Sequence, residues 1–181
     1  NPESWTKGNS PTAIEYIDLA NTKWGKIEAT QSFAWKDAPS RAQRIVRPGD
    51  TIVGTVRPGN GSFALIGDDG LTGSTGFAVL RPKKATYEGY VYLWATRKEN
   101  IDRLAHLADG AAYPAVSPEI VLGTQCIVLC DELVEQFGNL SKSLLIRAVA
   151  NEHESRTLAI IRNTLLPKLI PGELPVPEAR S

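Results

Sequence analysis

The sequence lacks methionine entirely and contains only two histidines and two cysteines. His106 and His153 lie far apart along the chain and complete no metal-ligand motif, so we interpret both as surface or packing residues. Cys126 and Cys130 lack the second Cys/His pair that a zinc site needs. Because no signal peptide precedes them, we expect buried, reduced thiols in a cytoplasmic protein.

Net charge and long apolar runs are also missing. Twenty basic and twenty acidic side chains cancel, which by itself argues mildly against a nucleic-acid partner. The longest uncharged hydrophobic stretch, residues 120–130, is much shorter than the roughly 20 residues that a bilayer requires, so we predict no membrane segment. One local basic cluster is present, and such a cluster is more often solvated surface than a binding site: Lys36, Arg41, Arg44, Arg47 and Arg57.

Motifs of catalysis are equally scarce. The glycine-rich stretches 59–61 and 70–76 match neither a P-loop nor a dinucleotide fingerprint. No Asn-Pro-Pro-aromatic motif of an adenine methyltransferase and no nuclease set of carboxylates and lysine is present. We therefore predict a non-catalytic protein with no metal and no cofactor of its own. The chain begins at Asn1 without a methionine, so we expect a processed protein or a piece of a longer one.

The dominant pattern is a heptad repeat in the last third of the chain. Apolar residues recur at the a and d positions of a coiled coil, interrupted at the middle by Asn151 at an a position with Arg147 and Glu154 at the neighbouring d positions. No proline interrupts this run until Pro167, so about 35 residues can form one helix of roughly 50 Å. Such a helix needs a second long helix, either from another copy or from a missing half of a longer chain. We call these residues the outer seam: Leu133, Phe137, Leu140, Leu144, Asn151, Leu158, Ile161 and Leu165.

An alternative is a helix that packs on its own globular domain. Asn151 argues against that alternative, because a polar a position commonly fixes the register and orientation of a coiled coil. In an antiparallel pair the two helix mid-points meet. Arg147, Asn151 and Glu154 could then satisfy one another across the seam.

The rest of the sequence predicts an α+β domain with a mixed or antiparallel β core and short helices. Arg41, Arg44 and Arg47 would share one side of a helical turn within residues 38–48. Thr96 and Glu99 have the spacing of a capping box and predict a helix over residues 96–110. Alternation and β-branched residues predict strands at residues 14–19, 51–56, 62–66, 76–80, 90–94 and 120–129, with a five-residue hairpin tip at residues 57–61. We therefore divide the chain into a domain at 1–130, a helix at 131–170 and a tail at 171–181.

Three stretches resemble one known family. ESRTLAIIRNTLLPKLIPGEL, residues 154–174, closely resembles the end of the conserved helical region in specificity subunits of type I restriction-modification systems. GDTIVGTVRPGNGSFALIG and the later TGSTGFAVLRP resemble the central strands of that family's target recognition domain. GAAYPAVSPEIV resembles the link before the conserved helix.

The resemblance implies a DNA-binding, non-catalytic subunit. Such a subunit normally holds two recognition domains apart on two antiparallel helices, and each domain reads one half of a bipartite site in double-stranded DNA. This chain has one of each, which implies a half-length subunit or half of a longer one. Methylation would belong to a modification subunit that binds S-adenosylmethionine, and cleavage to a restriction subunit. Two alternatives remain open: a coiled-coil scaffold that binds a protein partner, and the recognition end of a fused restriction-methylation enzyme.

Base contacts differ between members of that family, so they cannot be transferred by position. Arginine, asparagine and hydroxyl side chains on loops are the groups that read base edges. Our candidates are therefore the polar residues of the hairpin tip, the basic cluster and two further loops: Arg57, Asn60, Arg41, Arg44, Lys36, Ser74, Thr75 and Tyr113.

Overall fold

Strands fill the first half of the chain and helices the second. The computed structural model describes residues 1–173. The strands are β1 (Ala13–Ile17), β2 (Thr22–Lys23), β3 (Lys26–Ile27), β4 (Gln31–Ala34), β5 (Ala42–Ile45), β6 (Thr51–Gly54), β7 (Phe63–Leu65), β8 (Leu71–Ser74) and β9 (Phe77–Leu80). The α-helices are α1 (Glu88–Thr96), α2 (Lys98–Leu107), α3 (Pro118–Leu122) and α4 (Asp131–Leu169).

Two sheets form the centre of the domain. The first has the order β4-β1-β8-β5 and is mixed, because β1 and β8 run parallel while the outer pairs are antiparallel. The second has the order β7-β6-β9 and is antiparallel throughout. The β2–β3 hairpin lies beside the β7 edge, where Gly25 bridges Ala64. The predicted α+β class and the predicted strands at 14–19, 51–56, 62–66 and 76–80 are confirmed.

The core follows from the alternation along these strands. Ile17, Ile52 and Phe77 are fully buried between the two sheets. A second cluster joins the other face of the β6 sheet to the helices, where Val53 packs with Ile101 among others. The transfer of these aliphatic side chains out of water supplies the main stabilisation of the domain. The loops that leave the strand ends are therefore held on a rigid base.

Two predicted strands are wrong. Residues 90–94 belong to helix α1, and the alternation of their aromatic side chains also fits the pattern of a strand. Residues 120–129 comprise the end of α3 and an irregular segment, so Cys126 and Cys130 are exposed rather than buried. Short apolar runs fit either a strand or a helix, and here contacts distant in sequence decide between the two.

Two local predictions about turns also require correction. Residues 38–48 form no helical turn: a single 3₁₀ turn ends at Asp37, and β5 follows. The predicted helix within 96–110 exists, but it begins at Lys98 and no capping box closes it. Thr96 belongs to α1, where its hydroxyl donates to the carbonyl of Tyr92 at 2.7 Å.

Helix α4 confirms the predicted long helix and continues through Pro167 to Leu169. A proline this close to the helix end forfeits little of the hydrogen-bond ladder. The predicted tail at 171–181 falls mostly outside the described residues, since 174–181 are not described. The first two thirds of the helix pack on the domain through residues that we call the inner face: Val134, Gly138, Ser141, Leu145, Val149 and Arg156.

Close contacts fix the inner face to the domain. A Cβ atom at Gly138 would lie 1.9 Å from the carbonyl oxygen of Thr86, and one at Gly67 would lie 2.3 Å from Val149. Farther along, Asp68 accepts from Nε2 of His153 at 3.0 Å and pairs with Arg156 at 3.3 Å. The helix therefore cannot rotate on its axis without breaking packing and ion pairs together.

Candidate nucleic-acid interface

The β6 sheet has one end at helix α4 and one end far from it. Gly67, which follows β7, contacts Val149 of the helix. The connection between β6 and β7, residues 55–62, therefore lies at the opposite end of the strands. The chain after β1 and the turn between β8 and β9 end there as well. We call this edge, formed by residues 18–25, 55–62, 74–76 and 110–115, the loop end.

Arg57 is held rigidly in the 55–62 loop. Its backbone is in the left-handed region at φ 47°, and its amide donates to the carbonyl of Pro114 at 2.7 Å. Its guanidinium donates to the Ala112 carbonyl at 2.8 Å and lies 4.8 Å from the centre of the Tyr113 ring. The side chain stays exposed, as does that of Asn60 in the same loop. The connection between the strands is longer than the predicted five-residue tip and is fastened to the 110–115 segment.

Arg41 forms a second cationic position. Its Nε donates to the hydroxyl of Tyr16 at 2.8 Å, and its Nη2 lies 3.5 Å from a carboxylate oxygen of Asp18. Hydrogen bonding to Tyr16, followed by the nearby Asp18 charge, raises the pKa of Arg41 above its ordinary value. The side chain is 59% exposed, so the oriented guanidinium faces solvent. The carbonyl of Arg41 accepts from the amide of Thr75 at 2.7 Å.

The β8–β9 turn connects the two cationic positions. Thr75 contacts the backbone of Arg41, and the next carbonyl, that of Gly76, accepts both the amide and the hydroxyl of Thr55 at 2.8 Å. Thr55 precedes Arg57 by two residues. Arg41 is therefore added to the loop end, and five of the eight candidates belong to this one connected surface: Arg41, Arg57, Asn60, Thr75 and Tyr113.

Three candidates lie elsewhere or face inward. Ser74 is only 2% exposed, and its hydroxyl accepts from the amide of Gly76 at 3.2 Å, so it is a core residue of the turn. Arg44 is partly buried in β5 and donates to the hydroxyl of Ser4 at 3.2 Å. Lys36 follows Trp35, whose amide bonds the Thr12 carbonyl just before β1 begins, at the strand end opposite Asp18.

The remaining arginine of the basic cluster belongs to an ion-pair network near the helix. Arg47 pairs with Glu3 at 2.6 Å, and Glu3 also pairs with Arg81. Arg81 pairs in turn with the buried Asp50 at 2.7 Å. Hydrogen bonding to Asp50 raises the pKa of Arg81, and these charges neutralise one another. The basic cluster of the sequence is thus divided between the two ends of the domain.

Within residues 1–173, no helix is long and apolar enough to cross a membrane, and no group of three His, Cys, Asp or Glu side chains could hold a metal ion. The candidate surface is therefore a set of hydrogen-bond donors and aromatic rings on loops. Such a surface can bind anions and the polar edges of bases.

Comparison with known proteins gives a match only among solved structures. No protein-family model and no curated protein matches the chain. The HsdS subunit from Thermoanaerobacter tengcongensis is 28% identical, with a TM-score of 0.62 over 99% of this chain and 48% of that one. A specificity subunit from a study of complex assembly and conformational transition of the type I R-M system is also 28% identical, with a TM-score of 0.64 and the same coverage. The chain has the fold of one half of a type I specificity subunit.

This chain spans about half the length of the specificity subunits that it matches. The likeness covers the domain and the long helix together, so the resemblance inferred from the residue motifs is confirmed at the level of the fold.

One aromatic residue at the loop end was not among the candidates predicted from the sequence. Trp24 is 55% exposed at φ 47°, packs over Gly61, and meets Phe63 edge to face at 5.7 Å between ring centres. Glycine is required at 61, because a Cβ there would lie 2.5 Å from the indole. The available signal was a Trp-Gly pair in a polar stretch, which predicts a turn but not its position beside Arg57.

Proposed function

We propose that this chain is a non-catalytic DNA-recognition subunit of a type I restriction-modification system and reads one half of a bipartite target. The observation that supports this most directly is similarity over 99% of the chain to one half of a specificity subunit. The exposed arginines of the loop end supply the donors that such a role requires. Methyl transfer, with its S-adenosylmethionine, and cleavage would be the work of separate modification and restriction subunits.

Base recognition is assigned to the loop end. Arg57 and Arg41 present guanidinium groups whose positions are fixed by neighbouring carbonyl, hydroxyl or carboxylate oxygens. Two parallel N–H donors of an arginine match O6 and N7 of guanine in the major groove, and an asparagine such as Asn60 matches adenine. Thr75 and Tyr113 complete the surface. We leave the buried Ser74 out of this role, and assign Arg44 and Lys36 no base contact.

Helix α4 is assigned the role of spacer. Its outer seam would pair antiparallel with the same helix of a second copy or of a second half, so that two loop ends face two half-sites. Each added heptad would lengthen the spacer by about 10 Å, or about three base pairs. The described chain leaves most of the seam in water, with Leu140 76% and Leu144 71% exposed.

Neutral net charge implies that the chain does not bind DNA tightly alone. Phosphate contacts supply most of the non-specific affinity of DNA-binding proteins, and here acidic residues offset the basic ones. We therefore propose that the modification subunit docks on this chain and completes a clamp around the duplex. Since the DNA and these subunits would be cytoplasmic, we propose the same location for the chain.

The test is a DNA titration with and without the modification subunit at fixed salt. Arg57→Glu and Arg41→Glu should each weaken binding of the complex to its target by about 10- to 100-fold, because one good base contact contributes about 1–3 kcal/mol. Arg47→Glu is the matched control, since Arg47 is also exposed and ion-paired but lies near the helix. Tight, specific binding by the wild-type chain alone would contradict the clamp, and unchanged binding in both loop-end variants would contradict the recognition surface.

The scaffold alternative is supported by the same exposed seam, which would serve a purely oligomerising protein equally well. Charge reversal at Arg57 and Arg41 separates the two hypotheses, because a scaffold would have no DNA binding to lose. The fused-enzyme alternative is tested by the full-length gene, in which methyltransferase motifs upstream of this region would establish it.

A further inference from the structure

A groove of about 550 Å³ lies between β9, α1 and α3, away from the loop end. Its wall is mainly apolar and aromatic, with the Tyr90 and Trp94 rings 6.0 Å apart. The guanidinium of Arg97 stacks on the Trp94 ring, 3.9 Å from its centre. Beyond Cys126 at its rim, Ile127 is 61% and Val128 is 94% exposed. Aromatic residues, arginine and contiguous exposed apolar surface are typical of a binding site for a protein segment.

The groove lies beside the first turn of helix α4. The hydroxyl of Tyr90 donates to the carbonyl of Ile127, four residues before Asp131 begins the helix. Lys84, which precedes α1, reaches Asp131 at 3.2 Å and Glu135 at 2.9 Å. A second helix that packs along the outer seam near Leu133 would therefore lie next to the groove.

Two pairs of outer-seam residues are placed symmetrically about Asn151. Leu144 and Leu158 are each seven residues from it, and Phe137 and Leu165 are each fourteen residues from it. An antiparallel pair centred on Asn151 would place Leu144 of one copy against Leu158 of the other, and Phe137 against Leu165. The same register places Pro171 of the second copy beside Asp131, at the groove.

We propose that this groove binds residues 174–181 of the second copy, a proposal that rests on the antiparallel pairing proposed above. The sequence of that segment begins Leu174-Pro175-Val176-Pro177 and continues with Glu178. Proline-rich segments are bound in aromatic-lined grooves, where little conformational entropy is lost.

The segment cannot reach the groove of its own chain. Helix α4 has 39 residues and is therefore about 58 Å long. The seven residues from Ile170 to Val176 span at most about 25 Å when extended. The segment that binds in the groove must accordingly come from the other copy. One such contact would then form at each end of the helix pair.

The native Cys126 provides the test, because it is exposed and lines the groove. The full chain carrying Val176→Cys and Cys130→Ser is oxidised with oxidised glutathione and separated without reductant. We expect a covalent dimer in which peptide mapping finds Sγ of residue 126 bonded to Sγ of residue 176. The same chain with Cys126→Ser as well is the matched control and should remain without that bond.

A second measurement uses the wild-type cysteines. Ending the chain after Glu173 should raise the alkylation rate of Cys126 about 10-fold, whereas Cys130, which is exposed outside the groove, serves as the internal control. Sedimentation of the same samples reports whether the pair exists. A dimer without the 126–176 bond would overturn the groove proposal while leaving helix pairing and DNA recognition standing. A monomer would overturn it as well, and so would protection of Cys126 by the modification subunit irrespective of residues 174–181.

Discussion

The two faces of helix α4 differ in the size of their side chains and in their exposure to solvent. The inner face contacts its own domain through a mixture of large and small residues, and Gly138 and Ser141 allow the backbones to approach closely. The outer seam consists mainly of large apolar residues, and Leu140, Leu144 and Leu158 are all more than half exposed. The two sets share no member although they interleave along one helix. Large apolar side chains at seven-residue steps thus mark the exposed face, which we propose pairs with a second helix, while small residues stand where the inner face approaches the backbone of the domain most closely.

The difference has a physical cause. A helix that lies close against a short turn such as Ala85–Tyr87 gains packing by bringing backbones together, which only glycine and serine permit. A helix that pairs with another helix along its length gains most from leucine and phenylalanine knobs that fill facing holes. One side of α4 therefore makes close backbone contact, and the other is an exposed apolar seam, which we propose pairs with a second helix.

Gly138→Ala should have the largest effect on the fold. Its Cβ would meet the Thr86 carbonyl, so the helix must move away from the domain, and overpacking costs about 1–3 kcal/mol or more. Alanine returns about 1 kcal/mol of helix propensity, so we expect a net loss of about 2 kcal/mol in the free energy of unfolding, measured by urea denaturation. Asn139→Ala, on the exposed neighbouring position, should be neutral or stabilising. Equal effects of the two variants would mean that the inner face is not tightly packed.

Leu144→Glu together with Leu158→Glu should abolish pairing of the helices and leave the fold intact. In the register centred on Asn151 these residues meet across the seam, whereas in the single chain they are 71% and 58% exposed. Exposed substitutions usually change unfolding by less than about 0.5 kcal/mol each. Sedimentation equilibrium would report the loss of the dimer and circular dichroism the unchanged fold. Ile160→Glu, 66% exposed and off the seam, is the control, and loss of the dimer in that variant would contradict the assigned face.

Asn151→Leu should stabilise the pair by about 1 kcal/mol, or about 2–4 °C in Tm, while loosening its orientation or oligomeric state. The physical reason is that an apolar residue at this a position removes a desolvation cost but also the hydrogen-bonding requirement that favours one register. Thermal melts at several concentrations, with sedimentation, measure both effects. A pair that stays uniquely antiparallel would count against the role of Asn151.

Lowering the pH should open the first turn of helix α4 before the rest of the helix unfolds. We expect this to be the smallest of the four effects. The neighbouring Tyr87 hydroxyl, followed by the Lys84 ammonium that donates to the carboxylate at 3.2 Å, lowers the pKa of Asp131 below its usual 3.8. A lowered pKa in the folded state means that the stabilisation is complete above about pH 4 and is lost as pH falls through the folded value. Amide exchange of residues 131–135 should therefore rise at low pH, and Asp131→Asn should show the faster exchange at neutral pH. Glu132→Gln is the control, because the Glu132 carboxylate has no ion pair within the described residues; an identical response would remove Asp131 from this role.

The local sequence pattern was sufficient to predict some helices and strands but not others. The helix over 131–169 and the β6–β7 hairpin were predictable, because heptad spacing and β-branched runs around a Gly-Asn-Gly turn act over a few residues. Helix α1 was not, since its alternating aromatics fit a strand equally well until its packing on α4 decides the matter. Among the candidate DNA contacts, the hairpin arginine was placed correctly on a loop, but its fastening to Ala112 and Pro114 depends on residues more than fifty positions away.

The sequence by itself determined that a long helix with one seam exists, and its motifs carried the family resemblance. Both could be recognised because periodicity and local motifs depend only on residues that are close together in the sequence. Only the tertiary structure decided which face of that helix is occupied and which arginines share a surface. Arg41 and Arg47 are six residues apart, yet the antiparallel course of β5 beside β8 places one at the loop end and the other beside Glu3. A strand carries neighbours in sequence to opposite edges of a sheet, so the division of the basic cluster could be known only from the fold.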